Sequence, residues 1–210
     1  IRFRSDLGSS TVTRLTLPLG ATYDGRDDPL DARAGAYGDA TLTPFTTLGD
    51  GSGARIALDG RAYRAFGETG ATRLAGRLQL GTLVGGAMSD IPPDEFFYSG
   101  GSGTVRGQSY QSLGAIQNGM TSGGRSFAGL SGEVRHDIGE TNFGAVGFAD
   151  LGAISADAWG QGNSDWQAGA GLGFRYSTPF GPIRVDLATP LTGSDAGREA
   201  YLYIGIGQAF

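Results

Sequence analysis

Residues 166–176 read WQAGAGLGFRY. Trp166, Ala168, Ala170, Leu172, Phe174 and Tyr176 fall on one side of an extended chain, and Gln167, Gly169, Gly171, Gly173 and Arg175 fall on the other. Successive side chains of a strand point to opposite faces. One face is therefore apolar and the other polar or bare. The same period of two recurs along the chain. Leu74, Leu78 and Leu80 oppose Arg73, Arg77 and Gln79; Leu130 and Val134 oppose Ser131, Glu133 and Arg135; Ile183, Val185 and Leu187 oppose Arg184 and Asp186; Leu15, Leu17 and Leu19 oppose Arg14, Thr16 and Thr22. Helical periodicity is nearly absent, so the chain reads as all-β.

Alternation suits a soluble sandwich as well as a membrane barrel. Segment length and loop asymmetry favour the barrel. Strands are expected at 11–24, 34–46, 53–65, 71–84, 126–138, 142–154, 165–178, 182–190 and 199–210, with 1–6 as the end of another. Most are long enough for the roughly 9–11 residues that a tilted strand needs to span a bilayer. Tight connections at 67–70, 136–142 and 178–182 alternate with long ones at 46–53, 85–125, 155–165 and 191–200. Short turns at one end and long loops at the other mark an outer-membrane barrel. The turn at 24–35 is long but falls on the short-turn side.

Composition narrows the function. Gly makes up 39 of the 210 residues without a collagen period. Gly on the lumen face leaves room for an inserted segment, and 85–125 is the candidate insert. The net charge of -5, with Arg scattered singly, argues against a nucleic-acid surface. There is no Cys and only one His, His136. Thiol chemistry, zinc–thiolate sites and a Ser-His-Asp triad are thereby excluded or unsupported. Gly169, Gly171 and Gly173 mimic a nucleotide-binding run, but no helix follows. The acidic group Asp24, Asp27, Asp28 and Asp31 reads as a solvated turn rather than a cation site. No catalytic constellation, cofactor or metal site is expected.

The stretch PPDEFFYSGGSGTVRGQSYQSLGA (92–115) carries a specific motif. Phe96, Phe97, Gly100 and Gly101 precede Val105, Arg106 and Gly107. This pattern resembles the loop of the outer-membrane assembly-factor superfamily, of the BamA and TamA type and including the two-partner secretion transporters. YQSLG (110–114) leans the resemblance towards TamA. Gln108 stands where the family has an aromatic, and Tyr110 is the candidate to replace it. The turn at 23–35, VGFADLG (146–152), the hairpin at 174–191 and IGQAF (206–210) also resemble family segments.

The resemblance implies a transmembrane antiparallel β-barrel in the bacterial outer membrane. The chain would hold roughly the last ten of sixteen strands, with 85–125 an extracellular loop folded into the lumen. The first strands and periplasmic POTRA domains are expected to lie before residue 1. A guanidinium in the lumen needs carboxylates, and the resemblance implies a lock of Val105, Arg106 and Gly107 on Glu133 and Asp150. It also implies a weak seam at the last strand, represented by Tyr201, Tyr203, Ile204, Gly205, Gly207 and Phe210. The function implied is not enzymatic. It is the insertion or secretion of autotransporter-type barrel proteins through that seam. The implied partners are membrane lipid, unfolded outer-membrane proteins and an inner-membrane-anchored protein of the TamB type. Two-partner secretion and a passive porin are the alternatives.

Overall fold

A computed structural model describes residues 2–5, 8–11, 13–47, 51–86, 91–117 and 120–210. The segments expected at 1–6, 11–24, 46–53 and 85–125 thus lie partly outside the described residues. The first two strands, β1 (Arg2–Ser5) and β2 (Gly8–Thr11), form a hairpin separate from the main sheet. The main sheet begins with β3 (Arg14–Thr16), β4 (Leu19–Asp24), β5 (Gly35–Thr47), β6 (Gly51–Phe66) and β7 (Thr72–Gly85). After the small hairpin of β8 (Ala115–Gln117) and β9 (Met120–Ser122), it resumes with β10 (Ser126–Asp137), β11 (Phe143–Ser155), β12 (Ser164–Tyr176), β13 (Ile183–Pro190) and β14 (Tyr201–Ile206). The ten strands of this sheet follow chain order and pair antiparallel. β3 and β4 both pair with β5 and form one path interrupted at Pro18, which has no N–H to donate.

Strands β5, β6, β7, β10, β11 and β12 run 12 to 16 residues. At about 3.4 Å per residue and a tilt near 45°, even the shortest rises about 29 Å, more than the ~25 Å apolar band of an outer-membrane barrel. The two faces then decide the solvent. The exposed face carries Leu172, Leu202, Ile204 and Leu130, while Glu133, Arg135, Asp150 and Asp186 are each at most 3% exposed on the other. A water-soluble sandwich has the opposite arrangement, because charged groups are almost never fully buried unless paired. The apolar face is suited to lipid and the polar face to the interior of a barrel wall.

The sheet curls around that polar face. Six strand spacings separate β14 from β6, about 29 Å in a flat sheet. The four residues after β14 extend at most about 14 Å. Yet Phe210 packs in one cluster with Tyr63 of β6, Ala75 of β7 and Ala32. The covered face is therefore concave. Its end nearest the long loops is filled by Phe45, Leu83, Ile91, Phe96, Phe97, Phe127 and Ile154. The end nearest the short turns holds the Phe210 cluster, and ion pairs occupy the middle.

The last strand departs from expectation. Alternation across 199–210 places Phe210 with Leu202, Ile204 and Ile206, but the strand ends at Ile206 and Phe210 lies buried on the opposite face. The reason is Gly207, whose φ of +86° only glycine adopts cheaply. Beyond it the chain turns inward. Gln208 Nε2 donates to Asp31 at 2.8 Å, and Arg135 Nη2 donates to the Phe210 carbonyl at 3.1 Å. The acidic turn is likewise committed internally. Asp24 pairs with Arg26, Asp27 Oδ1 accepts three backbone amides, Asp28 accepts those of Leu30 and Asp31, and Asp31 pairs with Arg73.

Candidate functional site

Residues 91–114 cross the concave face as a compact excursion. Pro92 and Pro93 start a single 3-10 turn, Pro93–Glu95. The chain then pairs Phe97 with Gly124 and Ser99 with Leu113 by reciprocal backbone bonds of 2.8–3.0 Å. Between them the loop tightens on glycines. Gly100, Gly101 and Gly107 have φ of +113°, +91° and +87°. A side chain on Gly100 would run into Ser109, and one on Gly107 into the backbone of Thr189. At the loop's base, Arg14 pairs with Glu95, while Arg55 lies over the Phe97 ring at 4.3 Å and donates to the Glu95 carbonyl.

The wall makes room for the loop with missing side chains. A Cβ on Gly152 would meet Ser99 and Val105, one on Gly169 the Arg106 carbonyl, and one on Gly81 the Phe97 ring. These glycines lie on β11, β12 and β7 and form a trough in which the loop sits close to the backbone. Val105 is fully buried there.

Arg106 is the centre. Its Nε and Nη2 donate to the two oxygens of Asp150 at 2.7 and 3.0 Å, and its backbone N–H donates to Oδ2 at 3.0 Å. Nη1 donates to Glu133 at 2.5 Å and to Asp186 at 3.4 Å. The guanidinium carbon lies 3.6 Å from the Phe148 ring centroid. The planar fork suits this bidentate grip, which a lysine does not reproduce. Burial opposes the charge, but Asp150 and Glu133 outweigh it and raise the Arg106 pKa above the ordinary arginine value. Arg135 pairs with Glu133 at 2.8 Å and Arg175 with Asp186 at 2.5 Å. The cluster thus joins the loop to β10, β11, β12 and β13.

Of the residues singled out in the sequence, Val105, Arg106, Gly107, Glu133 and Asp150 meet at one place. The last strand touches it through hydroxyls. The Gly107 N–H donates to the Tyr203 Oη at 3.0 Å, and Ser109 and Tyr201 share a 2.8 Å hydrogen bond. Ile204 points away into the apolar outer face, Gly205 lies beside Arg184, and Phe210 is at the far end with Arg135. Tyr110 does not replace the family aromatic. It is 80% exposed, and Gln108 takes the inner place by donating to the Ala168 carbonyl at 2.9 Å. Asp186, Arg135, Arg175 and Phe148 escape the sequence reading. Asp186 and Arg135 stand at alternating polar positions, but only the register and the curl show that they meet Arg106 or its partner.

The family model for the Omp85 superfamily domain matches residues 2–210. Among solved structures, the chain is similar to the crystal structure of BamA from Haemophilus ducreyi lacking POTRA domains 1-3. The TM-score is 0.68 at 17% identity, over 90% of this chain and 41% of that one. At that identity the likeness is one of fold, and the chain spans about two fifths of the length of that structure.

Proposed function

The chain belongs to the Omp85 superfamily and its place is the bacterial outer membrane, and from that premise we propose that it is part of the barrel of a factor that inserts or secretes outer-membrane proteins. The superfamily is one of assembly and transport, and no catalytic role is proposed. The observation that carries the reading is the buried Arg106 cluster, which seats the loop across the concave face and places it in hydrogen-bond contact with the last strand.

In this reading 85–125 is an extracellular loop inserted in the lumen, and Arg106 with Glu133 and Asp150 is the lock that keeps it there. The barrel has sixteen strands, of which this chain supplies about the last ten. β14 borders the seam. Among the described strands it is the end strand of the sheet, paired on one side with β13, so its other edge can take an incoming strand, the logic of β-augmentation. The clients are unfolded barrel proteins of the autotransporter type, in line with the resemblance of YQSLG (110–114) to TamA. POTRA domains before residue 1 then meet a partner of the TamB type.

The test is to reconstitute the full protein in lipid vesicles and follow the folding of an added, urea-unfolded outer-membrane protein. Faster insertion than in empty vesicles, with no large steady conductance, is the expected result. A large, constantly open pore and no gain in insertion would make the protein a porin and overturn the reading.

A further inference from the structure

The outer face near the long-loop end carries a feature that protein insertion does not require. Three rows of outward-facing residues cross β7, β10, β11 and β12 in register. The outermost is hydroxylic: Thr82, Ser126, Ser155 and Ser164. The next is Leu80, Ala128, Ala153 and Trp166, and the third begins Leu78, Leu130 and Leu151. The change from hydroxyls to leucines over two rows marks the edge of the hydrocarbon layer on this wall.

The connection between β11 and β12 lies over this edge, outside the wall. Its backbone engages the hydroxyl row: the Trp159 N–H donates to Thr82 at 3.1 Å, Ser126 donates to the Asp157 carbonyl at 2.8 Å, and Ser155 donates to the Asn163 carbonyl at 3.2 Å. Trp159 is held at φ +63°, a left-handed conformation unusual for a bulky residue. The overhang and the two alanines of the second row border a half-open cavity of about 250 Å³, lined by Ile56, Leu58, Leu80, Ala128, Ala153 and Trp159 among others. An apolar cavity of about 150 Å³ already accepts a benzene ring.

We infer that this cavity is a binding site for one acyl chain of a lipid of the surrounding bilayer. Its apolar lining is continuous with the lipid-facing surface, since Leu80, Ala128 and Ala153 lie one row from the exposed Leu78, Leu130 and Leu151. The hydroxyls of Thr82, Ser126 and Ser155 are already engaged by the overhang, so they offer little to a polar ligand. The alanine pair is the gap of small side chains between Leu80 and Trp166 in its row, directly beside the polar edge, the depth at which an acyl chain leaves its headgroup. The site rests on the membrane location alone and not on the proposed insertion activity.

The test is photolabelling of the full protein in phosphatidylcholine vesicles that contain a lipid with a diazirine on its acyl chain, with labelled residues mapped by mass spectrometry. Labelling concentrated on Leu80, Ala128, Ala153 and Trp159 relative to Leu78, Leu130 and Leu151 is expected. Ala128→Phe, and independently Ala153→Leu, should abolish the concentration while labelling of the leucine row persists; retention of both variants in the folded, heat-modifiable form shows that the barrel is intact. Even labelling of both rows would reduce the contact to ordinary bilayer lipid and overturn the proposal. Absence of label from the alanine row in the parent would also overturn it, because another protein surface would then cover the cavity. Labelling concentrated on the alanine row together with failed insertion activity would refute the function above and leave this site standing.

Discussion

Two clusters of arginine and carboxylate lie on the same concave face and have different consequences. Around Asp59, Arg61 and Arg77 donate at distances of 2.6–3.2 Å from β6 and β7. The ladder already sets Arg61 opposite Arg77, so Asp59 chiefly neutralises two like charges that the sheet has brought together. These side chains retain 14–22% exposure, and the cluster's hydrogen bond to the loop runs from Arg77 to the Gly103 carbonyl. Around Arg106 the exposures fall to 0–2%, and the cation arrives on a loop whose partners are 27, 44 and 80 residues away in sequence. Nothing in the ladder supplies that arginine. Charge pairs inside the wall adjust a sheet that hydrogen bonding has already built, whereas the Arg106 cluster determines where a long segment lies.

Removing the loop's cation should therefore have the largest effect. Arg106→Ala leaves Asp150, Glu133 and Asp186 buried with a missing partner, and breaking such a pair typically costs about 3–5 kcal/mol. Expulsion of the loop is the expected relief. Limited proteolysis should then cut within 91–114 in the variant and not in the parent. Arg106→Lys keeps the charge but not the fork, and should lie between them. Wild-type protection in Arg106→Ala would show that the apolar packing of Phe96, Phe97 and Val105 holds the loop unaided.

The second change leaves all charges in place and removes the space. Gly169 faces the Arg106 carbonyl so closely that a Cβ there requires the loop to move. Gly169→Val should cost about 1–3 kcal/mol by overpacking and raise the protease sensitivity of 91–114, though less than Arg106→Ala. The same substitution at Gly132, where a Cβ meets nothing, is the control and should be silent. If the two valines behaved alike, the glycine trough would not be what admits the loop.

A smaller effect is expected where the loop touches the last strand. Tyr203→Phe deletes the acceptor of the Gly107 N–H and leaves the ion pairs untouched. A loss of about 0.5–1.5 kcal/mol is the usual scale for one hydrogen bond. Hydrogen exchange at Gly107 should quicken while 91–99 remains protected. Unchanged exchange at Gly107 would show that the tyrosine contributes no hold on the loop.

How much of this was legible from the sequence follows the same division. Alternation in 166–176 and its repeats reveals the strands and their two faces, because period two is a local property of the backbone. The motif around Val105–Gly107 directs attention to Arg106 through resemblance, and to Glu133 and Asp150 as acidic positions on inward faces. Asp186 was not legible as a partner, because it lies two strands from Asp150 and approaches Arg106 only once the sheet curls. The inward path of Phe210 depends on the positive φ of Gly207, and a glycine in sequence does not announce which conformation it takes. Tyr110 and Gln108 exchanged expectations for a similar reason: two tight glycine turns determine which of them points inward. The overhang at 156–163 reads as a polar loop, and nothing local says that it lies outside the wall.

The smallest effect should come from the cluster inside the wall. Asp59→Asn removes the negative charge between Arg61 and Arg77 but keeps an oxygen acceptor and leaves the β6–β7 ladder intact. Partly exposed pairs of this kind contribute about 0–1 kcal/mol, and the arginines can turn towards water rather than remain opposed. The expected result is a slight fall in the denaturant midpoint, with the loop as protected from protease as in the parent. A fall as large as that of Arg106→Ala would mean that Asp59 supports the seating of the loop through Arg77 and Gly103, and the distinction between adjusting the wall and placing the loop would fail at that contact. The double variant Asp59→Asn/Arg106→Ala separates the cases. Independent clusters add to within about 0.5 kcal/mol, while a shared role leaves the double variant little worse than Arg106→Ala alone.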